Sequence, residues 1–286
     1  MHIPVLLKEV LECLNIKPNE NYIDCTMNGG GHAREILKRN KPDGKVLGIE
    51  IDKEIFDKVE KQDRLIAVND SYANLKKIAE ENHFKNVKGI LFDIGMSSYH
   101  VDEAERGFSF QKDEPLLMNY SDGLSAEEIL NEWREDEIEK ILKEYGEERF
   151  ARKIAKKIVE RRKGEKIKST LQLVGIIKEA TPGWYHHSKI HFATRTFQAL
   201  RIAVNNELNN FRSALPQALE VLDKGGRLAA ISFHSLEDRI IKEFLKEKEK
   251  SGELKIITKK PIAPGDEEMK SNPRSRSSKL RAAIKI

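Results

Sequence analysis

Cysteine is nearly absent from this chain of 286 residues: Cys13 and Cys25 are the two present, and no C-x-x-C spacing joins them. That excludes a disulfide scaffold and suits thiols packed as small hydrophobes in a reduced, cytoplasmic protein. Long apolar runs are missing as well. Leu228-Ala-Ala-Ile-Ser-Phe233 is far too short to span a bilayer, and Lys8, Glu9 and Glu12 interrupt the start, so neither a membrane span nor a signal peptide is expected. Internal repeats are absent. Neither sign of charge dominates, because Lys+Arg at 51 exceed Asp+Glu at 47 by only four, a balance that permits a nucleic-acid partner without requiring one. Neither the Walker pattern nor G-x-G-x-x-G occurs, and scattered histidines such as His186-His187 form no ligand set, so no metal is expected.

What is present is a packed-core composition, 39% hydrophobic, long enough for one large domain or two ordinary ones. The organising stretch is Tyr22-Ile-Asp-Cys-Thr-Met-Asn-Gly-Gly-Gly-His32: a β-prone run, an acid, three glycines and then the apolar period of a helix. Glycines there let backbone approach a ligand, and the helix start offers N–H groups to it; a ligand-free strand-to-helix turn is the plainer alternative. Lys45–Ile51 reads as a buried strand ending in Glu50, with Asp52 close behind. Strand, glycine loop, helix, strand and acid is the skeleton of an adenosine-type cofactor site, in which the second acid binds ribose hydroxyls. Glu50 is favoured for that role, and Asp52 has the alternative of capping the next helix. Arg64–Val68 and Val87–Gly95 supply two more strands, the latter ending in Asp93, while Tyr72 suits either an adenine contact or a packing role. The alternation predicts a parallel sheet with Asp24, Glu50 and Asp93 converging at the C-terminal ends of its strands.

From about Asp102 to Lys189 strands vanish and helical periods follow: Ser125–Trp133, Asp136–Tyr145, Glu147–Arg162 and Ser169–Ala180. The β/α pattern later resumes, so residues 105–189 are expected as a helical insertion between segments 1–104 and 190–286 of one domain. Ile3–Leu14 reads as a helix, and Thr194–Leu222 as one long helix that Pro216 kinks or divides. Gly225–Phe233 is a fifth strand, Ser235 caps a helix over Leu236–Lys248, and Leu254–Pro261 and Lys279–Ile286 complete a seven-stranded, mostly parallel sheet.

Several phrases together resemble one family: His2-Ile-Pro-Val-Leu-Leu-Lys-Glu-Val10, Asn28-Gly-Gly-Gly-His32, Leu91-Phe-Asp-Ile-Gly-Met-Ser-Ser98, Glu105-Arg-Gly-Phe-Ser-Phe110, Tyr145-Gly-Glu-Glu148, Ala193-Thr-Arg-Thr-Phe-Gln-Ala-Leu-Arg201, Ile231-Ser-Phe-His-Ser-Leu-Glu-Asp-Arg239 and Asn272-Pro-Arg-Ser-Arg-Ser277. The chain is similar to the RsmH (MraW) family of small-subunit ribosomal RNA cytosine-N4 methyltransferases. The likeness runs from about residue 2 to the C-terminus. It implies a class I methyltransferase fold (α/β, doubly wound), S-adenosyl-L-methionine as methyl donor, an inserted helical domain that helps hold RNA, and a cytidine of the decoding region as target. Carried over by position, it places cofactor contacts on Gly30, Gly31, His32, Glu50, Tyr72, Asp93 and His100. The sequence departs from the family pattern at Asn28 (usually Gly), Glu50 (Asp) and His100 (Gln), and at Leu117 and Asn119, where an acid and a base usually stand. Those last two changes raise an alternative: a catalytically altered or inactive paralogue serving as a ribosome-binding or assembly protein.

Methyl transfer to N4 needs the amine held close and a group to take a proton's hydrogen bond, for which Asp93 is the first candidate, with Ser97 and Ser98 fixing the base. The target base must be unpaired or flipped out. Arg106, Arg195, Arg201, His234, Arg274 and Arg276 are the RNA-contact candidates, with Arg274, Arg276, Lys279 and Arg281 read as a basic tail, and Phe108 and Phe110 as stacking or core residues. The expected partner is small-subunit ribosomal RNA, in an assembled subunit, with no membrane involved and a homodimer as a candidate assembly. A DNA amino-methyltransferase ranks low, since the Asp/Asn-Pro-Pro-Tyr phrase is replaced by Asp93-Ile-Gly-Met.

Overall fold

Strands form where β-branched and aliphatic residues run together without a polar face, as parallel strands covered on both sides require. Val46–Glu50 and Val87–Asp93 are such runs, and nearly every residue in them is buried. The structure is a computed structural model describing residues 4–286; Ile3, where the first helical period begins, lies outside the described residues. The chain divides into two compact units, Met1–Gly95 with Leu208–Ile286, and Met96–Glu207.

The first unit contains α1 (Leu7–Leu14), β1 (Asn21–Asp24), α2 (Gly31–Arg39), β2 (Val46–Glu50), α3 (Lys53–Asp57), β3 (Leu65–Asn69), α4 (Leu75–Glu81) and β4 (Val87–Asp93). The second contains α5 (Ser98–Asp102), α6 (Ala126–Glu132), α7 (Glu135–Glu144), α8 (Ala151–Arg161), α9 (Thr170–Ala180), α10 (Gly183–His186) and α11 (Thr194–Asn205). After α12 (Glu207–Val221), the first unit resumes with β5 (Leu222–Ser232), α13 (Ser235–Lys250), β6 (Leu254–Ile256), α14 (Asp266–Ser271) and β7 (Lys279–Lys285).

The sheet has seven strands in the order β3-β2-β1-β4-β5-β7-β6. Strands β1 to β5 are parallel, whereas β7 runs antiparallel to both β5 and β6. This is the class I methyltransferase sheet that the resemblance implies. Its order reverses between β1 and β4, so a crevice opens there at the C-terminal strand ends.

The second unit has its own core, in which Phe108, Ile129, Ile154, Leu173, Phe197 and Leu200 are buried together. That core explains a shift of boundary. The helical unit runs from Met96 to Glu207 rather than from 105 to 189, because Met96 on one side and Phe192, Phe197 and Leu200 on the other pack into it. Periodicity marks α11 as amphipathic without saying which core its apolar face meets.

Other details differ from expectation. The helix over 194–222 breaks at Asn206, in left-handed backbone at φ 50°, and Pro216 lies inside α12. Asparagine tolerates that conformation, and Pro216 sits on the exposed side of the helix. The cap of α13 is His234, not Ser235: Phe233 N donates to Glu237 Oε2 at 2.7 Å, and the His234 ring accepts from Glu237 N. Arg281 is no part of a basic tail. It is buried in β7, and its Nε donates to Asp238 Oδ1 at 2.7 Å. The sixth strand stops at Ile256, with an isolated bridge from Ile262 to Leu280 continuing beyond it. Among the described residues no helix is long and apolar enough to cross a membrane.

Candidate active site

Three acids occupy the last positions of three adjacent strands: Asp24 on β1, Glu50 on β2 and Asp93 on β4. All three are buried, at 1%, 4% and 6% exposure. Parallel register brings Asp24 level with Gly48 and Leu91, so the carboxylates gather on one edge of the sheet.

The loop after β1 is tied to these acids through its backbone. Thr26 N donates to Asp24 Oδ1 at 3.2 Å, and Asn28 N to Glu50 Oε2 at 2.8 Å. Asp52 N donates to the other Glu50 oxygen at 2.8 Å. Asp93 N donates to Thr26 Oγ1 at 2.6 Å, which makes Thr26 a positioning residue that its sequence context had not singled out. Asn28 adopts φ 47° and Gly30 φ 74°, so the residue that replaces the family's usual glycine keeps the left-handed turn that asparagine can tolerate. Asp52 takes the alternative role weighed for it, accepting from Glu54 N at 2.9 Å as the cap of α3.

Gly31 serves packing. A Cβ there would lie 2.4 Å from Pro4 Cγ, so its hydrogen lets the N-terminal segment cross the start of α2. His32 fastens the same segment: its Nε2 sits 3.0 Å from the Val5 carbonyl oxygen, which can only accept, so that nitrogen carries the proton. Its Nδ1 is then turned toward Asp93 Oδ2 at 3.7 Å. Gly31→Ala should displace Pro4 and, through Val5, the ring of His32, at a cost of about 1–3 kcal/mol. Thermal denaturation checks the stability loss, and an unchanged melting temperature would show that the segment yields without cost.

Burial dominates the electrostatics. It pushes Asp24 and Glu50 up to about 7 and Asp93 up to about 8, and the charge of Asp24 raises Asp93 further. Asp24 Oδ2 and Asp93 Oδ1 are buried with no hydrogen-bond partner among the described residues. Unpaired buried acceptors are costly unless a ligand supplies the donor or the positive charge. Tyr72 is half-buried in a short helical turn, its ring edge-on to Phe92 at 5.8 Å.

The remaining candidates are distributed over both units. In the first, Arg274 and Arg276 are exposed on a 3-10 turn, and His234 Nε2 lies 3.0 Å from Glu237 Oε1. In the second, Ser97 caps α5 by accepting from Tyr99 N at 3.2 Å. His100 is buried in an aromatic group, 5.1 Å from Phe108 and 4.7 Å from Tyr120. Phe110 stacks on His191 at 4.5 Å. Arg106 donates to Asn119 O at 3.0 Å, and Arg195 to Glu147 O at 2.6 Å. Arg201 is 12% exposed and paired with Glu207 at 2.9 Å, so its charge is already matched inside the protein. At the departure from the family pattern, Ala126 N donates to Leu117 O at 3.0 Å, so backbone contacts together with Arg106 fix the Leu117–Asn119 loop.

The profile of the MraW methylase family matches residues 1–286. The chain belongs to that family. A ribosomal RNA small subunit methyltransferase H from Clostridium botulinum (strain 657 / Type Ba4) is 46% identical, aligned over 100% of this chain and 99% of the relative. One of the same description from Syntrophus aciditrophicus (strain SB) is 44% identical over 100% and 98%. Among solved structures, an rRNA methylase from Streptococcus thermophilus aligns over 100% of this chain and 99% of its own at 9% identity, with a TM-score of 0.45. This methylase uses S-adenosylmethionine as its methyl donor, the cofactor the resemblance implies. The residues present fit that molecule. Two orphaned carboxylate oxygens in a buried acidic crevice answer a cationic ligand, and Glu50 presents a carboxylate at the position where ribose hydroxyls bind in sheets of this type.

Proposed function

We propose that this methylase modifies the N4 amine of a cytidine in the decoding region of small-subunit ribosomal RNA, acting on assembled subunits. The observation that carries the substrate class is the full-length likeness, at 44–46% identity, to proteins described as ribosomal RNA small subunit methyltransferase H. The N4 target rests on the family resemblance that the quoted sequence phrases carry together.

When bound, S-adenosylmethionine supplies an electrophilic methyl carbon. The chain's own residues do the rest. Asp24 and Asp93 offer negative charge to a cation, and Glu50 offers oxygens to hydroxyls. Asp93, with a proton affinity raised toward neutrality, is suited to accept a hydrogen bond from the attacking amine as its nitrogen pyramidalises. His32, anchored through Val5, limits where the Asp93 carboxylate can turn. Arg106, Arg195, Arg274 and Arg276 contribute to phosphate contacts, while Arg201 serves its ion pair.

The test is transfer of labelled methyl to small subunits from cells lacking the modification, with naked 16S RNA in parallel and the product nucleoside identified. N4-methylcytidine formed on subunits is the expected result. A different methylated nucleoside would overturn the target. Cofactor binding with transfer to neither substrate would favour the assembly-protein alternative.

A further inference from the structure

Trp184 is 60% exposed, yet its surroundings are ordered by specific contacts. Its ring lies edge-on to Phe150 at 5.8 Å and to Tyr185 at 6.0 Å, and those two rings meet at 4.9 Å. Buried Glu148 fixes the group from beneath: Tyr185 Oη donates to its Oε2 at 2.7 Å and Phe150 N to its Oε1 at 2.9 Å. A tryptophan braced in this way holds its rotamer at little entropic cost, which a contact with a mobile partner exploits.

Apart from Glu148, which is buried beneath the rings, the charges nearest the aromatic group are positive. The guanidinium carbon of Arg149 lies 5.5 Å from the Trp184 ring centre and 5.8 Å from that of Tyr185. Lys153 Nζ is 5.8 Å from the ring of Phe150, and the charge of Arg195 is felt at Tyr185. The acids of the flanking helices are committed elsewhere: Glu160 to Lys156, and Glu179 to Lys157 and Arg161. Aromatic surface flanked by unmatched cations suits a nucleic-acid strand, since every base has a face to stack and every linkage a phosphate to neutralise. A second copy of this chain seated there would bring like charges together.

We propose that Trp184 is a stacking platform for an unpaired nucleotide of the substrate RNA, with Arg149 and Lys153 holding the adjoining phosphates. The platform rests on the RNA reading given above and adds a contact surface that lies outside the acidic crevice residues. It selects single-stranded RNA and carries no base sequence preference of its own.

The experiment measures KM and kcat on small subunits, and RNA affinity against salt concentration, for Trp184→Ala, Trp184→Phe and the double variant Arg149→Ala/Lys153→Ala. Trp184→Ala should weaken RNA affinity about 5- to 100-fold. The loss should fall on KM rather than kcat, and Trp184→Phe should recover most of it. The double variant should reduce the slope of log affinity against log salt by roughly 1.5. A wild-type thermal melt and circular dichroism spectrum, with unchanged calorimetric affinity for S-adenosylmethionine, establish that both units fold in every variant. Wild-type KM and RNA affinity in Trp184→Ala, or a wild-type salt slope in the double variant, would overturn the platform while leaving the RNA reading intact. So would a change of oligomeric state in that variant with unaltered RNA affinity, which would assign the surface to a protein partner. If the variants lose RNA affinity as expected but the wild-type chain transfers no methyl, the platform stands and the methyltransfer reading fails.

Discussion

Replacing Asp93 with alanine is expected to lower methyl transfer about a thousandfold while leaving the chain folded, a loss in the range general acid–base groups contribute. Asp93 is held from several sides. Its N–H is bound to Thr26 Oγ1, Gly95 donates to its carboxylate, and His32 approaches its Oδ2. Only Oδ1 is left without a partner among the described residues, so the site presents one preorganised acceptor. Alanine removes that acceptor and a negative charge that favours a cation. The fold should survive, because a buried carboxylate burdened by Asp24 and Glu237 contributes little to stability when ionised. Asp93→Asn keeps the volume and removes the charge, and it should lose nearly as much activity. Single-turnover transfer with the cofactor saturating, alongside a thermal melt, reads both quantities. Activity within tenfold of wild type would remove Asp93 from the reaction.

Without cofactor, the chain should lose stability as pH rises from about 4 to about 8. Asp24 and Glu50 sit at about 7 and Asp93 at about 8, all raised above ordinary carboxylate values, with burial the largest cause in each. A carboxyl raised in the folded state keeps its proton after the unfolded chain has lost its own. Its contribution is therefore full below the unfolded value, declines as pH climbs toward the folded value, and is flat above it. The groups facing one another are Asp24 and Glu237 around Asp93, with His32 alongside, and Asp52 and Asp24 around Glu50. Three such groups together amount to several kcal/mol, on the order of 1.4 per proton per pH unit. Melting temperatures should fall between pH 5 and 8 and level off above, and fall less in Asp93→Asn. A flat profile for wild type would mean that the crevice carboxylates are better paired than their contacts indicate.

The sheet could be read from the chain because its parallel strands are unbroken apolar runs that end in acids, and Val46–Glu50 and Val87–Asp93 begin and end within two residues of expectation. The crevice followed from the same pattern, since strand ends place Asp24, Glu50 and Asp93 whatever the loops do. Side-chain partners were less accessible. The spacing of Gly31 and His32 points to a ligand loop, yet Gly31 makes room for Pro4 and His32 reaches Val5, contacts that depend on where a distant segment folds back. Arg201 looked like one cation among several, and only packing reveals Glu207 beside it. The unit boundary at Gly95 was hidden for the same reason, because an amphipathic period says that a face is covered and not by what. Trp184 gave no signal at all, because apart from its neighbour Tyr185 its contacts come from Phe150 and Arg149, more than 30 residues earlier in the chain.

The most direct test of the crevice as the cofactor site is calorimetric titration of S-adenosylmethionine, across pH 6 to 8 and in two buffers of different ionisation enthalpy. A cationic ligand favours ionised carboxylates. Binding should therefore release about one proton or more, and affinity should tighten about tenfold per pH unit for each proton released. Glu50→Gln and Asp93→Asn should each weaken binding and reduce the proton count. Binding that is independent of pH, releases no protons and is unaffected by either substitution would contradict the account, and would place the cofactor away from these acids.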